Sequence, residues 1–214
     1  MLRLTRSVCT ICLVTCFVSV VFVAGASAAE RSLFDGKTLA GWQGETEKTW
    51  RVEEGVVVGG SLAGNPQNEF LAASERFENF DLKFKAKLEG TEGFVNGGVQ
   101  FRSERIPNHH EMIGYQADIG MGYDGGLYDE SRRNKFLQSL PKEEVAKIVK
   151  AGEWNEYRVR AEGPRVQIWV NGVQTVDYTE TESAIPRSGL IALQIHGNCK
   201  AVIRFKEIVI EKLP

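Results

Sequence analysis

The sequence predicts an all-β protein, a two-layer sandwich or jelly roll with one short helix. Two observations carry this. Apolar residues alternate with polar ones over many short segments, and Gly-rich or Asn-Gly turns separate those segments. Phe80, Leu82, Phe84, Ala86 and Leu88 alternate with Asp81, Lys83, Lys85 and Lys87, a strict period of two over nine residues. The same parity runs through Val99/Phe101, Tyr157/Val159/Ala161 and Val166/Ile168/Val170. Asn171-Gly172 lies between "VQIWV" and "VQTVDY" and predicts a type I′ hairpin, because both central residues must take positive φ. "RVEEGVVV" predicts another, turning at Glu54-Gly55. In Val202–Ile210 the apolar parity slips at Lys206-Glu207, which predicts a bulge. One segment, Lys142–Lys150, has helical spacing, with Val145, Ile148 and Val149 on one stripe and Pro141 at its start.

Ahead of these segments, Arg3 and Arg6 precede an apolar run from Val8 to Val23, and Ala26-Ser27-Ala28 gives a small-x-small cleavage pattern. Residues 1–28 are therefore expected to be a signal peptide, and 29–214 a single domain that is exported to the periplasm or beyond the cell, with no membrane span in its mature form. Cleavage removes two arginines and no acid, so the formal charge moves from −2 to −4. That charge does not suit a nucleic-acid partner. It also removes Cys9, Cys12 and Cys16, and Cys199 alone can form neither an internal disulfide nor a Cys-rich zinc site.

Gly120-Met121-Gly122-Tyr123-Asp124-Gly125 fits the G-x-G-x-x-G pattern of dinucleotide sites. The fingerprint requires a helix after it within a βαβ unit. Here "LYDESRRNKF" follows, without a helical stripe. The glycines are better explained as a turn that folds over a pocket, with Tyr128 to Arg133 on its rim.

The parity opposite the apolar one gives Gln100 and Arg102, Gln116 and Asp118, Gln167 and Trp169, and Gln194 and His196, on four separate strands. A solvated sheet face usually carries Lys, Glu and Thr. Planar hydrogen-bonding groups with an indole suit a sugar, which presents vicinal hydroxyls and an apolar C–H face. Trp42 and Trp154 are expected in the core or at its edge. His109-His110-Glu111 is expected to be a solvated loop tip, since three adjacent residues rarely converge on one ion. Asp124, Asp129 and Glu130 do not fit an EF-hand loop.

Several stretches taken together, "SLFDGKTLAGW", "TWRVEEGVVVGG", "FENFDLKFKAKL", "GGVQFRS", "GEWNEYRVRAEGPRVQIWVNGVQTVDY" and "GLIALQIHG", resemble the 3-keto-disaccharide hydrolase domain family. The resemblance covers nearly all of residues 29–214. It implies a concanavalin A-like two-sheet jelly roll that acts on, or binds, an oligosaccharide or modified sugar. By position it places Arg102, Gln116, Asp118, Tyr128 and His196 at the pocket. "DESRRNKFL" departs from the family's commonest form, which puts Glu130, Arg132 and Arg133 among residues that could set specificity.

The chemistry implied is base-assisted elimination from a 3-keto-glycoside followed by hydration, with His196 or Asp118 as base and Arg102 stabilising the enolate. Gln100, Gln116, Tyr128, Glu130, Arg132, Trp169 and Gln194 are the expected substrate contacts. No cofactor is required by the sequence, although a divalent metal held by His196 and a carboxylate could replace Arg102. The alternative is a noncatalytic, lectin-like carbohydrate-binding module.

Overall fold

A computed structural model of the chain describes residues 29–214, so the expected signal peptide lies outside the described residues. The strands are β1 (Arg31–Ser32), β2 (Trp42–Gln43), β3 (Trp50–Glu53), β4 (Val56–Asn65), β5 (Glu69–Phe77), β6 (Phe80–Gly93), β7 (Gly97–Arg105) and β8 (Met112–Ile119). After them come β9 (Leu127–Glu130), β10 (Lys135–Gln138), helix α1 (Lys142–Ile148), β11 (Asn155–Glu162), β12 (Arg165–Val170), β13 (Val173–Thr179), β14 (Gly189–Ile195) and β15 (Cys199–Lys212). They form two antiparallel sheets. One has the order β13-β12-β11-β6-β15-β4-β3, with β1 added beside β15; the other has the order β10-β9-β8-β7-β14-β5-β2. Interleaving of early and late strands in both sheets makes this a jelly roll, as expected.

The period-two pattern accounts for the layering. Phe80, Leu82 and Phe84 on β6, Val159 on β11, Ile168 on β12 and Phe205 on β15 point inward from the first sheet. Val99 and Phe101 on β7, Tyr115 and Ala117 on β8, and Leu193 and Ile195 on β14 meet them from the second. Phe84 stacks on Tyr157 at 5.3 Å, and Phe80 packs edge-on against Phe101 at 6.1 Å. Each fully buried phenylalanine contributes about 1.5–3 kcal/mol of burial free energy.

The turns follow the sequence. Glu54 and Gly55 take φ of 49° and 78°, and Asn171 and Gly172 take 48° and 82°, as type I′ hairpins need. The bulge on β15 falls between Lys206 and Val209, with Glu207 at φ 51°. The helix stops at Ile148, where Val149 turns extended, short of the expected Lys150. Trp42 is buried and donates from its indole to Leu33 O at 2.9 Å, while Trp154 lies at the edge under the Lys206 ammonium.

One feature was not expected. A bulge at Arg102–Ser103 interrupts β7, and on β8 Gly114 sits at φ 152°, where a Cβ would lie 2.1 Å from Ser103 Oγ. Beyond these points the β7–β8 hairpin curls over the outer face of its own sheet. Arg105 donates to Gln43 O at 2.6 Å and Phe70 O at 3.3 Å, although β14 lies between β7 and β5. A flat sheet would hold those two strands about 10 Å apart. Met112 packs on Phe70, Ala72 and Ala192, and Asn68 Nδ2 donates to Glu111 at 2.9 Å.

The glycine turn follows directly from Asp118, whose backbone N–H donates to Gly126 O at 3.0 Å and whose O accepts from the Gly125 N–H at 2.9 Å. It folds against the other sheet, where Thr175 Oγ1 donates to Gly125 O at 2.7 Å and a Cβ at Gly125 would meet Val170 at 2.5 Å. On its other side Tyr123 stacks on Phe136 at 4.9 Å, and Phe136 is edge-on to Tyr128 at 5.0 Å, so the turn borders the polar face at Tyr128.

Candidate functional site on the outer face of the second sheet

Strand register brings most of the expected residues together. Gln116 stands between Gln100 on β7 and Tyr128 on β9, while Gly98 stands between Asp118 on β8 and Gln194 on β14. Because alternate residues share a face, Asn96, Gln100, Gln116, Asp118, Tyr128, Glu130 and Gln194 lie on one side of the sheet. His196 follows Gln194 at the strand end, half-buried and edge-on to Phe94 at 4.7 Å. Its backbone N–H donates to Asn96 O at 3.0 Å, which sets it at the rim. Gly98 has a structural purpose here, because a Cβ would strike the Gln116 side chain at 2.7 Å. Its absence lets Gln116 lean toward Asp118.

The face is polar and closely connected. Ser103 Oγ donates to Gln100 at 2.6 Å, Gln100 Nε2 to Gln116 at 3.0 Å, and Gln116 Nε2 to Asp118 Oδ1 at 3.4 Å. Asn96 Nδ2 and the Ile119 N–H also donate to Asp118 Oδ1, at 2.9 and 3.1 Å. Burial pushes the Asp118 carboxyl up to about 7, against the pull of these donors. Glu130 is also pushed up to about 7, first by burial and then by the charge of Glu111. The Gln194 amide is near enough to favour ionised Glu130, although neither of its polar atoms makes a well-formed hydrogen bond. Asp118 pairs with Gly98 whereas Glu130 pairs with Gly114 on β8, an offset of roughly 13 Å along the strand. The two carboxyls therefore stand at different points along the face.

Three expected contacts lie elsewhere. Arg102 is in the left-handed region at φ 48°, and the bulge turns its side chain off the face. Its guanidinium donates to Glu78 O at 2.9 and 2.7 Å and to Gly163 O at 2.8 Å, tying two turns of the sandwich end. Burial lowers it to about 10. It cannot reach an enolate on the face, so that expectation is corrected. Trp169 does point away from the core, but β12 belongs to the other sheet, and the indole sits on the opposite outer surface under Arg158 at 4.7 Å. Arg132 binds Asp129 at 2.7 Å and lies over the Tyr115 ring at 4.7 Å, on the core side of β9. Asp129, held also by Arg133, is fully buried there, and Arg133 continues to Glu180 at 2.6 Å.

The residues that sequence reasoning missed are Asn96, Asn68, Ser103 and Glu111. Glu111 was assigned with His109 and His110 to a solvated tip. Those two histidines are exposed, whereas Glu111 is drawn under the curled hairpin. Among the described residues, no three His, Cys, Asp or Glu side chains converge as a metal cluster, and the oxygen donors of the face are spread along it. Cys199 is buried, with its thiol toward His196 O at 3.0 Å.

Two clefts are lined by residues outside this row of amides and carboxyls. One of about 580 Å3 runs between α1, β6 and the Gly120–Gly122 turn, and one of about 640 Å3 passes Trp169 and Arg158. The first holds Asp124, whose carboxyl is raised by burial and accepts from the Tyr157 hydroxyl at 2.8 Å. The outer face instead gathers Asp118 and Glu130 with the amides of Asn96, Gln100, Gln116 and Gln194, a convergence that makes it the candidate site.

Fold and face together define a jelly-roll sandwich of the kind seen in galectin-like proteins and carbohydrate-binding modules. The sequence matches the 3-keto-alpha-glucoside-1,2-lyase-like domain over residues 29–211, and the chain belongs to that family. A protein of Parabacteroides distasonis described as a glycosyl hydrolase has a similar structure, with a TM-score of 0.64, 20% identity, and coverage of 86% of this chain and 94% of that one. The carbohydrate-binding module CBM66 of Bacillus subtilis gives a TM-score of 0.61 at 17% identity, covering 80% and 96%. The metal-free carbohydrate recognition domain of Emp46p gives 0.57 at 11%, covering 88% and 96%. At these identities the likeness is one of fold. No curated protein sequence matches the chain.

Proposed function

We propose that the protein cleaves 3-keto-glycosides by elimination across C1–C2, with Asp118 as the base. The observation that carries this reading is a buried carboxyl at about 7, with three donors gathered on one oxygen, on a face of amides that suits sugar hydroxyls. The family to which the chain belongs supports it.

A ketone at C3 acidifies the C2 proton. Asp118 takes that proton, the electron pair moves into the C3 enolate, and the enolate collapses as the C1–O bond breaks. The leaving oxygen receives a proton from Asp118, which thereby gives up the one it took from C2 and is regenerated as the base. Water then adds across the resulting enone. With Arg102 committed to Glu78 and Gly163, the donors available to the enolate on this face are amide N–H groups and the Tyr128 hydroxyl. His196 at the rim contacts substrate in this reading and is not the base.

We propose further that the reaction takes place outside the cytoplasm, a reading supported by the export-signal features of residues 1–28. A second reading, a noncatalytic carbohydrate-binding module, draws on one specific observation: the guanidinium expected to stabilise an enolate is absent from the face. Turnover of a 3-keto-glucoside, followed by enone absorbance and released alcohol, separates the two. Turnover lost in Asp118→Asn supports the elimination. Sugar binding without turnover in the wild type rejects it in favour of the module.

A further inference from the structure

Polar groups beneath the β7–β8 hairpin exceed what the fold requires. Gln194 is fully buried on β14, and both its Oε1 and its Nε2 lack a hydrogen-bond partner. Glu111 Oε2, on the hairpin, is likewise shielded and unpartnered, while its other oxygen accepts from Asn68 at 2.9 Å and lies 3.2 Å from His110 Nε2. The rest of the hairpin seat is apolar, made by Met112, Phe70, Ala72 and Ala192. An apolar side chain at position 194 would complete that seat. A buried amide with unmet donors and acceptors instead costs about 1–3 kcal/mol.

We infer that Gln194, Glu111 and Glu130 form a subsite for adjacent hydroxyls of a neutral sugar ring, and that the Glu104–Met112 hairpin carries Glu111 onto it. This rests on the reading of the face as a carbohydrate site and deepens it. The chemistry selects the ligand class. Gln194 offers one donor and one acceptor on a single plane, which complements a pair of hydroxyls that each donate and accept. A metal ion would use only the oxygen. An anion would meet the charges of Glu111 and Glu130. The hairpin is fastened by Arg105 on Gln43 O and Phe70 O, by Arg76 on Glu104, and by Asn68 on Glu111. Its bends lie at Arg102 and Gly114, both at positive φ.

The test compares wild type with Gln194→Met and Glu111→Gln, using methyl α-glucoside and its 3-keto derivative as probes. Isothermal titration should show affinity for the probes reduced about tenfold or more in both variants, as loss of a ligand's buried hydrogen bonds implies. Gln194→Met should at the same time melt higher than wild type, because the unmet amide is gone. A lower melting temperature for Gln194→Met, or wild-type affinity in both variants, overturns the inference. Glu111→Gln keeps the shape and the Asn68 contact, so the binding arm stands even if the core variant folds poorly. Wild-type turnover with unchanged variants sinks the subsite alone. Binding that falls in the variants, with no turnover in any protein, sinks the elimination alone. Failure of wild type to bind either probe at millimolar concentration overturns both.

Discussion

Replacing Asp118 with asparagine should stabilise the protein at alkaline pH while abolishing its reaction. The buried carboxyl is pushed from its ordinary 3.8 up to about 7, so folding disfavours its charged form. At about 1.4 kcal/mol per pKa unit, that difference corresponds to about 4 kcal/mol. Between about pH 4 and pH 7 the folded chain binds this proton more tightly than the unfolded chain. The stability associated with it is therefore full below about pH 4 and is lost as pH rises to about 7. Asparagine has no charge to disfavour. Its Oδ1 can still accept from Asn96, Gln116 and the Ile119 N–H, since all three bonds fall on a single oxygen of the carboxyl.

Urea denaturation of wild type and Asp118→Asn from pH 4 to pH 8.5 measures this directly. The variant's advantage should grow through the window and level off above about pH 7, at a few kcal/mol. Glu130 titrates over a similar range in both proteins and drops out of the difference. Activity should move the opposite way. Wild-type kcat/KM should rise with pH through about 7 as the base ionises, and Asp118→Asn should lose at least about a hundredfold. A variant less stable than wild type at pH 8, or a difference that does not change with pH, would refute a charge held against its burial. It would leave Asp118 as an ordinary hydrogen-bonded aspartate.

Three further outcomes follow from the same geometry. Arg102→Leu should cost about 2–4 kcal/mol in denaturant, because Glu78 O and Gly163 O lose their donor, while turnover per folded molecule is unchanged; a selective loss of kcat would return Arg102 to the chemistry. Asp129→Asn should destabilise by about 3–5 kcal/mol, since it leaves Arg132 and Arg133 short of their buried partner, and a change under about 1 kcal/mol in thermal or urea melts would contradict the network. Trp169→Ala should leave sugar affinity as it was and cost about 0.5–1 kcal/mol of stability from the lost contact with Arg158; weakened binding by titration would show a sugar contact on the other sheet.

Local pattern encoded the strands, both type I′ hairpins and the β15 bulge, because each depends on neighbours within a few residues. The amide and carboxyl row was legible for the same reason, since Gln100, Gln116, Asp118 and Gln194 each oppose a core residue on their own strand. Parity states which side of a strand a residue takes, but not which sheet the strand joins. Gln167 and Trp169 therefore read as companions of Gln100 although β12 and β7 lie in different layers. Arg102 fails differently. A single left-handed residue at the bulge redirects it, and "QFRSE" contains no Gly or Asn to signal positive φ there. Glu111 was out of reach because its burial depends on a curl of the whole hairpin, set by a close approach of Gly114 to Ser103 that only the register reveals.

The outer face of a sandwich sheet normally meets water, so burying polar residues there needs a cover and carries a cost. Here Gln100 and Gln194 are fully buried, Asp118 and Glu130 hold carboxyls near 7, and Gln194 stays unpaired under the hairpin. The two carboxyls and the unpaired Gln194 work against folding, and apolar alternatives fit the hairpin seat, as Ala192 and Met112 show. On the opposite outer face the buried carboxylate of Asp81 is met by Arg158 and Arg160, and other charges pair at the surface, as Lys85 with Glu207 and Arg165 with Asp177 do. Stability alone would remove the first arrangement and keep the second. That contrast between two faces of one fold supports the proposal that the hairpin-covered sheet carries the function, and it does so independently of any likeness to other proteins.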